Sequence, residues 1–507
     1  MLNSGEDITK LYNWPMTATL SNQQKNYDQT AWQKGYESQR EEAAYEITEV
    51  EGQIPAALEG TLFRNGPGLL DIGGTPIKHP FDGDGMICSV TFRGGRAYFQ
   101  NRFVRTEGFV AEQKAGKPLY RGVFGTQKSG GLFNNVFDMR LKNIANTNVI
   151  YWGKKLLALW EAAEPHRLDP ENLETKGLDY LGDILKAGDG FSAHPRIDPA
   201  SIWDGGEPCL VNFAVKPGLP TRLVIYEISP SGELLRYREH EAQGFAFIHD
   251  FAITPNYVIF FQASVKFNPL PYVLGLKGAG ECVKFEADKP TKMIVIPRDP
   301  ARTDVQTLEA EAGFVFHHAN AFERDNQIIV DSVCYQSIPQ VQPDLDYKNV
   351  DFNALDPGQL WRFSLDLETQ KVTRELLDTR CCEFPVVHPA YVGRDRRYTY
   401  IGATDAATGN APLQAVWKVD HQGDNSQLYS FAPSGFTGEP IFVPCPEATA
   451  EDEGWVLLMV YDSARHGSDV VIFDAQDFTQ PVATLHLKQH IPYGLHGSWT
   501  PEVFVSF

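Results

Sequence analysis

An all-β fold, and within it a β-propeller under a partly helical cap, is what this sequence predicts, and three observations carry that prediction. From residue 50 onward, Gly, Pro and Asp recur at short intervals between β-branched and aromatic runs, which is the punctuation of many short strands. Four segments share one plan: LVIYEISPSGELLRY (223–237), LWRFSLDLETQKVTREL (360–376), AVWKVDHQGDNSQLYSF (415–431) and DVVIFDAQDFTQPVATLHL (469–487). Each is an apolar strand, a polar turn and a second strand, and hairpins repeated over hundreds of residues imply sheets arranged radially. Finally, His194, His249, His317 and His496 stand 55, 68 and 179 residues apart, each in an otherwise apolar, aromatic or small-residue segment. Such spacing suits distant stretches of chain that return to one central axis.

Taken in order, residues 1–45 read as a lead and cap segment, and 46–507 as one propeller domain, because no linker or low-complexity tract divides the chain. Helix is expected in the lead at 22–43 and again over PENLETKGLDYLGDILKA (170–187), both as excursions above the ring. The ligand spacing predicts long blades, about 60–70 residues each. With 45 Lys+Arg against 65 Asp+Glu the net charge is −20, which disfavours nucleic acid and anionic lipid as electrostatic partners. No run approaches 18 apolar residues, and the start, MLNSGEDITKLYNWPM, lacks a secretory pattern. Seven cysteines without a CxxC, two of them adjacent at Cys381 and Cys382, read as reduced thiols, so a cytoplasmic location is expected.

The four histidines lie in FSAHPRIDP, FAFIHDFAITP, FVFHHANAFE and IPYGLHGSW. A neutral imidazole tolerates apolar surroundings only when its nitrogens find partners, and a metal ion is one such partner. A zinc finger or HExxH helix is excluded by the spacing, since their ligands crowd into a few turns. Four neutral imidazoles leave a 2+ charge uncompensated in a dry interior, which calls for carboxylates behind the rings. Glu161 (LLALWEAAEP), Glu383 (CCEFPVVHP) and Glu439 (FTGEPIFVP) sit in comparably apolar settings and would bring the sum to about −1. Imidazole suits Fe, Zn, Cu and Ni alike. Tetrahedral Zn would be closed by four of them, whereas octahedral Fe(II) keeps two positions open.

These segments, together with GTLFRNGPG (60–68), HPFDGDGMI (79–87), NIANTNVIYWG (143–153) and DPGQLWRF (356–363), resemble the carotenoid cleavage oxygenase family from about residue 28 to 500. Within that family the likeness is strongest to the cyanobacterial 15,15′-cleaving members, through RLKNIANTN, GFAFIHDFAITP, GAGECV and CCEFPVVHP. The resemblance implies seven blades, one Fe2+ per chain held by His194, His249, His317 and His496, and Glu161, Glu383 and Glu439 behind the rings. The family's F-H-x-x-N pattern selects His317 over His318. Successive residues on a strand face opposite ways, so only one of the two can serve. Thr147 falls where the family restricts access to the iron. Trp160, Phe247, Phe316 and Phe384 are expected to wall a channel for an apolar polyene.

The implied activity is cleavage of one C=C bond of an apocarotenoid by O2, at the 15,15′ bond of an apocarotenal with release of retinal. No side chain need act as acid, base or nucleophile, and no triad or nucleophile elbow is present. The same cage would also serve cleavage of intact carotenoids or stilbenes, or isomerohydrolysis of retinyl esters; a propeller that only binds carotenoid is the alternative of another class. Shallow peripheral membrane contact is open through Leu132, Phe133, Val136 and Phe137, and through Pro269 to Leu276 (PLPYVLGL).

Overall fold

The four repeated hairpins are the outer strand pairs of four different blades in a seven-bladed β-propeller. The computed structural model describes residues 26–138, 140–218, 220–339 and 346–506. The hairpin of 223–237 lies in Thr221–Ile228 and Leu234–Ala242, and that of 360–376 in Gln359–Asp366 and Lys371–Leu376. Those of 415–431 and 469–487 lie in Ala415–Asp420 with Gln427–Ser430, and in Gly467–Asp474 with Ala483–His486. In each, a polar turn reverses the chain and the two strands pair antiparallel.

Blade one closes the ring. Its strand Gly60–Leu69 pairs with Gly497–Thr500 from the far end of the chain, while Val50–Gly52 adds to blade seven beside Ala483–His486. Two crossed pairings thus hold the first and last blades together, and neither leaves an open edge at the join. The Gly497 side of the join has no room: a Cβ there would lie 2.1 Å from the Phe63 carbonyl oxygen, so only glycine lets the strands close.

The core is a ring of layers between blades. One cluster joins Val211, Phe213 and Ile225 of blade three to Val258, Phe260 and Ile294 of blade four. The next joins Ile259, Phe261 and Met293 of blade four to Ile328, Val330 and Phe363 of blade five. Residues 258 to 261 therefore alternate between the two interfaces, which is why the run YVIFFQ is apolar throughout rather than at every second position. The other blade pairs are sealed in the same way.

Helix is sparser than the sequence predicts. In the lead only Gln29–Lys34 (α1) is helical among the described residues, capped by Asp28, and residues 22–25 lie outside them. Ala43–Glu46 is a strand on the edge of blade one. The 170–187 segment is not a helix. Thr175–Leu178 pairs with His166–Leu168 as the outermost strand of blade two, and turns follow it. Gly177, Leu181, Gly182 and Asp183 take positive φ, which a helix does not tolerate, while Leu181 and Leu185 still bury against blades two and three. The apolar spacing that suggested a helical face arises from a turn pressed on the propeller flank.

All seven cysteines are free. Among the described residues no helix is long and apolar enough to cross a membrane.

Candidate metal centre and cavity

Every blade delivers one residue of a single cluster, Glu161 from the end of a second strand and the other six from the innermost strands or their ends. Glu161 follows strand Lys155–Leu159 of blade two, His194 precedes Arg196–Asp198 of blade three, and His249 precedes Ala252–Ile253 of blade four. His317 lies on Phe314–Arg324 of blade five and Glu383 on Cys382–Val386 of blade six. Glu439 lies between the two short inner strands of blade seven, and His496 opens the closing strand of blade one. The ladder slips beside both His317 and Glu383, and these irregularities re-aim side chains toward the axis.

One nitrogen from each of the four imidazoles lies within 4.8 Å of the others. The Nε2 atoms of His249 and His317 face each other at 3.3 Å. Behind the rings stand the three carboxylates: Glu161 pairs with His249 Nδ1, Glu383 Oε2 meets His317 Nδ1 at 2.5 Å, and Glu439 Oε1 meets His496 Nδ1 at 2.8 Å. No carboxylate is hydrogen-bonded to His194: Glu161 Oε1 lies 3.9 Å from its Nε2, and that buried nitrogen makes no hydrogen bond among the described residues. An orphaned buried nitrogen is costly, and a cation at the centre would satisfy it together with the facing Nε2 pair. The donor set therefore fits a divalent metal.

The local field favours the neutral form of His194 and His496. Burial, reinforced by the other imidazoles, pushes His194 well below the ordinary histidine value, and burial lowers His496 despite Glu439. His249 runs the other way: burial opposes its charged form, but the ion pair and hydrogen bond with Glu161 lift it above its ordinary value. Burial would raise Glu383 and Glu439, yet their imidazole partners hold both below the usual carboxylate value, so both stay ionised.

Two supports were not read from the sequence. Arg64 Nη1 donates to Glu439 Oε2 at 2.6 Å and the Gly497 amide to the same oxygen at 2.9 Å. With Arg64 included, the three carboxylates and a 2+ ion sum to zero rather than −1. The second is a clamp made by residues one or two positions from three of the histidines. Arg196 pairs with Asp250 and donates to the His318 carbonyl at 2.9 Å, while Asp250 accepts from the His318 amide at 2.8 Å and the Phe251 amide at 2.7 Å. Blades three, four and five are tied at the level of His194, His249 and His317. His318 turns away, to Ser332 Oγ at 2.7 Å and the face of Phe261. A second acidic group, Asp204, Cys209 and Glu227, is filled by Arg236 and Arg298 and has no vacancy for a cation.

The cluster opens on a cavity of about 760 Å³. Thr147, Trp160, Phe247, Phe316 and Phe384 all line it, as do His249, His317 and His496. Thr147 sits against the cluster through its backbone, its carbonyl accepting from the His496 amide at 3.1 Å. Phe384 has φ 61°, a strained conformation for a bulky residue. Its amide donates to Glu383 Oε2 at 2.7 Å, and its ring packs 5.3 Å from both His317 and His496. The strain therefore holds an aromatic wall against two of the histidines.

At the surface, Phe137, Leu270 and Leu276 are 74 %, 61 % and 60 % exposed. The two apolar stretches touch, since the Phe137 amide donates to Val273 O at 2.8 Å. The buried Arg121 donates to carbonyls of Asp138, Tyr272 and Lys277 and locks the pair together. The side chains of Leu132 and Phe133 lie outside the described residues.

Glu383→Gln is expected to keep the fold and weaken metal binding by roughly 10–100-fold. Glutamine retains an acceptor for His317, and the Tyr335 hydroxyl, which donates to Glu383 Oε1 at 2.8 Å, can rotate to accept instead. Metal titration checks this. Glu439→Gln should be more damaging, because it strands the buried Arg64 charge.

The family model for RPE65, retinal pigment epithelial membrane protein, matches residues 36–501. Apocarotenoid-15,15′-oxygenase of Synechocystis sp. is 57 % identical over 483 residues, covering 95 % of this chain and 98 % of that protein. Resveratrol cleavage oxygenase 1 of Aspergillus fumigatus is 30 % identical, covering 89 % and 91 %. The crystal structure of the cobalt-substituted Synechocystis enzyme superposes with a TM-score of 0.92 at 57 % identity, covering 94 % of this chain and 100 % of that one.

Proposed function

The chain belongs to the RPE65/carotenoid oxygenase family, and from that premise we propose that it is an Fe2+-dependent oxygenase that cleaves the 15,15′ double bond of an apocarotenal with O2, releasing retinal. The observation that carries the proposal is the opening of a four-histidine cluster onto a large, aromatic-walled cavity. In this reading His194, His249, His317 and His496 hold the metal, and Glu161, Glu383 and Glu439 orient three of the rings and balance its charge. Bound there, ferrous iron would supply O2 activation, chemistry beyond the reach of side chains alone.

The chain's own residues do the positioning. Trp160, Phe247, Phe316 and Phe384 offer broad apolar faces to a polyene, exclude water and demand no hydrogen bond from a hydrocarbon. Thr147, held against His496, narrows the approach to the metal. No group has to accept or release a proton, because O2 adds across one C=C bond and two carbonyls result. We assign residues 46–507 to one catalytic propeller, and membrane contact to the Phe137 and Leu270–Leu276 surface. With a net charge of −20 that contact would be apolar and shallow.

Aerobic incubation of the iron-loaded protein with a C30 apocarotenal is expected to consume O2 and yield retinal, identified by chromatography. With iron confirmed, a product mixture lacking retinal would reject the substrate assignment. Full activity of a zinc-loaded protein would reject the iron assignment.

A further inference from the structure

Several polar groups of the cavity wall are already bonded. Asn410 donates to the carbonyls of Leu355 and Asp356, at 3.3 and 3.4 Å, and the Tyr493 hydroxyl donates to Trp32 O at 3.0 Å. Two others are not. His79 Nδ1 accepts from the Phe81 amide at 3.2 Å, so the proton of the neutral ring sits on Nε2, and that N–H has no partner among the described residues. The Tyr36 hydroxyl likewise makes no hydrogen bond with a described residue. Neither atom is sealed inside the protein matrix, and both residues line the cavity.

They also share a neighbour. Tyr36 and His79 both pack on the ring of Tyr347, with centroids 5.3 and 6.4 Å away, and Phe81 and Phe124 hold the His79 ring at 4.6 and 4.9 Å. The turn that carries His79 is fixed to the Thr147 segment, because Asn146 Nδ2 donates to the carbonyls of Phe81 and Gly83, at 3.2 and 2.8 Å. Burial pushes His79 down to about 4 and the Tyr36 phenol above its ordinary value, so both groups are neutral hydrogen-bonding groups at physiological pH.

A bare hydrocarbon gives such groups nothing to bond and displaces their water, which is unfavourable. We propose that His79 and Tyr36 form a subsite for an oxygen function at one end of the polyene, a ring hydroxyl or a terminal carbonyl. The oxygen accepts from His79 Nε2–H; a hydroxyl in turn donates to the Tyr36 oxygen, whereas a carbonyl accepts from the Tyr36 hydroxyl. This rests on the apocarotenoid reading of the cavity and deepens it, because a polar anchor at one end sets which double bond reaches the histidine cluster.

The test compares wild type, Tyr36→Phe and His79→Ser on four compounds: an apocarotenal with and without a ring hydroxyl, and the same two polyenes with the aldehyde replaced by methyl. Serine keeps an acceptor for the Phe81 amide while removing the cavity-facing N–H. Affinity is read by quenching of intrinsic fluorescence in the metal-free protein, and kcat/KM in the iron-loaded one. Both variants should bind compounds that carry the recognised oxygen about 3–10-fold more weakly and leave the others unchanged. Loss confined to the hydroxylated pair supports a hydroxyl occupant, and loss confined to the aldehydes a carbonyl occupant. Unchanged affinity for all four, or an equal loss on all four, overturns the subsite. Failure of the wild type to cleave any compound would instead overturn the oxygenase reading, and the binding comparison would still be readable.

Discussion

His249→Ala is expected to lose nearly all bound metal, with affinity falling by more than about 100-fold, beyond the effect of disturbing a residue behind a ligand. The reason is geometric. His249 Nε2 faces His317 Nε2 across the cluster, so its removal takes away one donor and also one wall of the space a cation would fill. Glu161 loses its partner as well, but its side chain is 32 % exposed and can be hydrated. The variant should therefore stay folded and fail through metal loss. Metal analysis of purified protein, with circular dichroism to confirm folding, checks this. His318→Ala is the internal control. That ring is fully buried and bonded to Ser332, so its loss should cost stability while leaving metal stoichiometry intact. Wild-type metal content in the His249 variant would remove this residue from the cluster's function.

The contrast between His317 and His318 shows what the chain discloses on reading. Alternation along a strand says that one of two adjacent histidines faces the axis, and the apolar settings of all four segments single them out. The outer hairpins were legible for a similar reason: strand, polar turn and strand are local features. Arg64 and the Arg196–Asp250–His318 clamp were not, because their partners lie 375, 54 and 122 residues apart in sequence and meet only after the ring closes. Read locally, an arginine two residues beyond His194 looks like a solvated charge. The 170–187 segment failed in the opposite direction. Its leucines are spaced for a helical face, but Thr175–Leu178 is taken by the free edge of His166–Leu168, so tertiary pairing overrides local propensity.

Asp250→Ala is expected to be strongly destabilising while leaving all four histidines in place. Asp250 is buried, and its two oxygens serve the Arg196 guanidinium and the amides of Phe251 and His318. Truncation strands two buried N–H groups and leaves the Arg196 charge half-buried without its counter-ion. Breaking a buried pair by removing one partner costs about 3–5 kcal/mol. Urea unfolding of the metal-free protein would register that loss with no contribution from metal binding. The same substitution should weaken metal binding, because the clamp sets the relative position of blades three, four and five, and those blades carry His194, His249 and His317. Asp250→Asn separates the two effects. The Phe251 amide sits on Oδ1 and the His318 amide on Oδ2, so the single carbonyl oxygen of asparagine can still accept from one of them and should recover part of the stability while the ion pair with Arg196 stays lost. If alanine at 250 left both the urea midpoint and the metal affinity at wild-type values, the three blades would have to be aligned by their apolar layers alone, and the clamp would be a bystander to the cluster it surrounds.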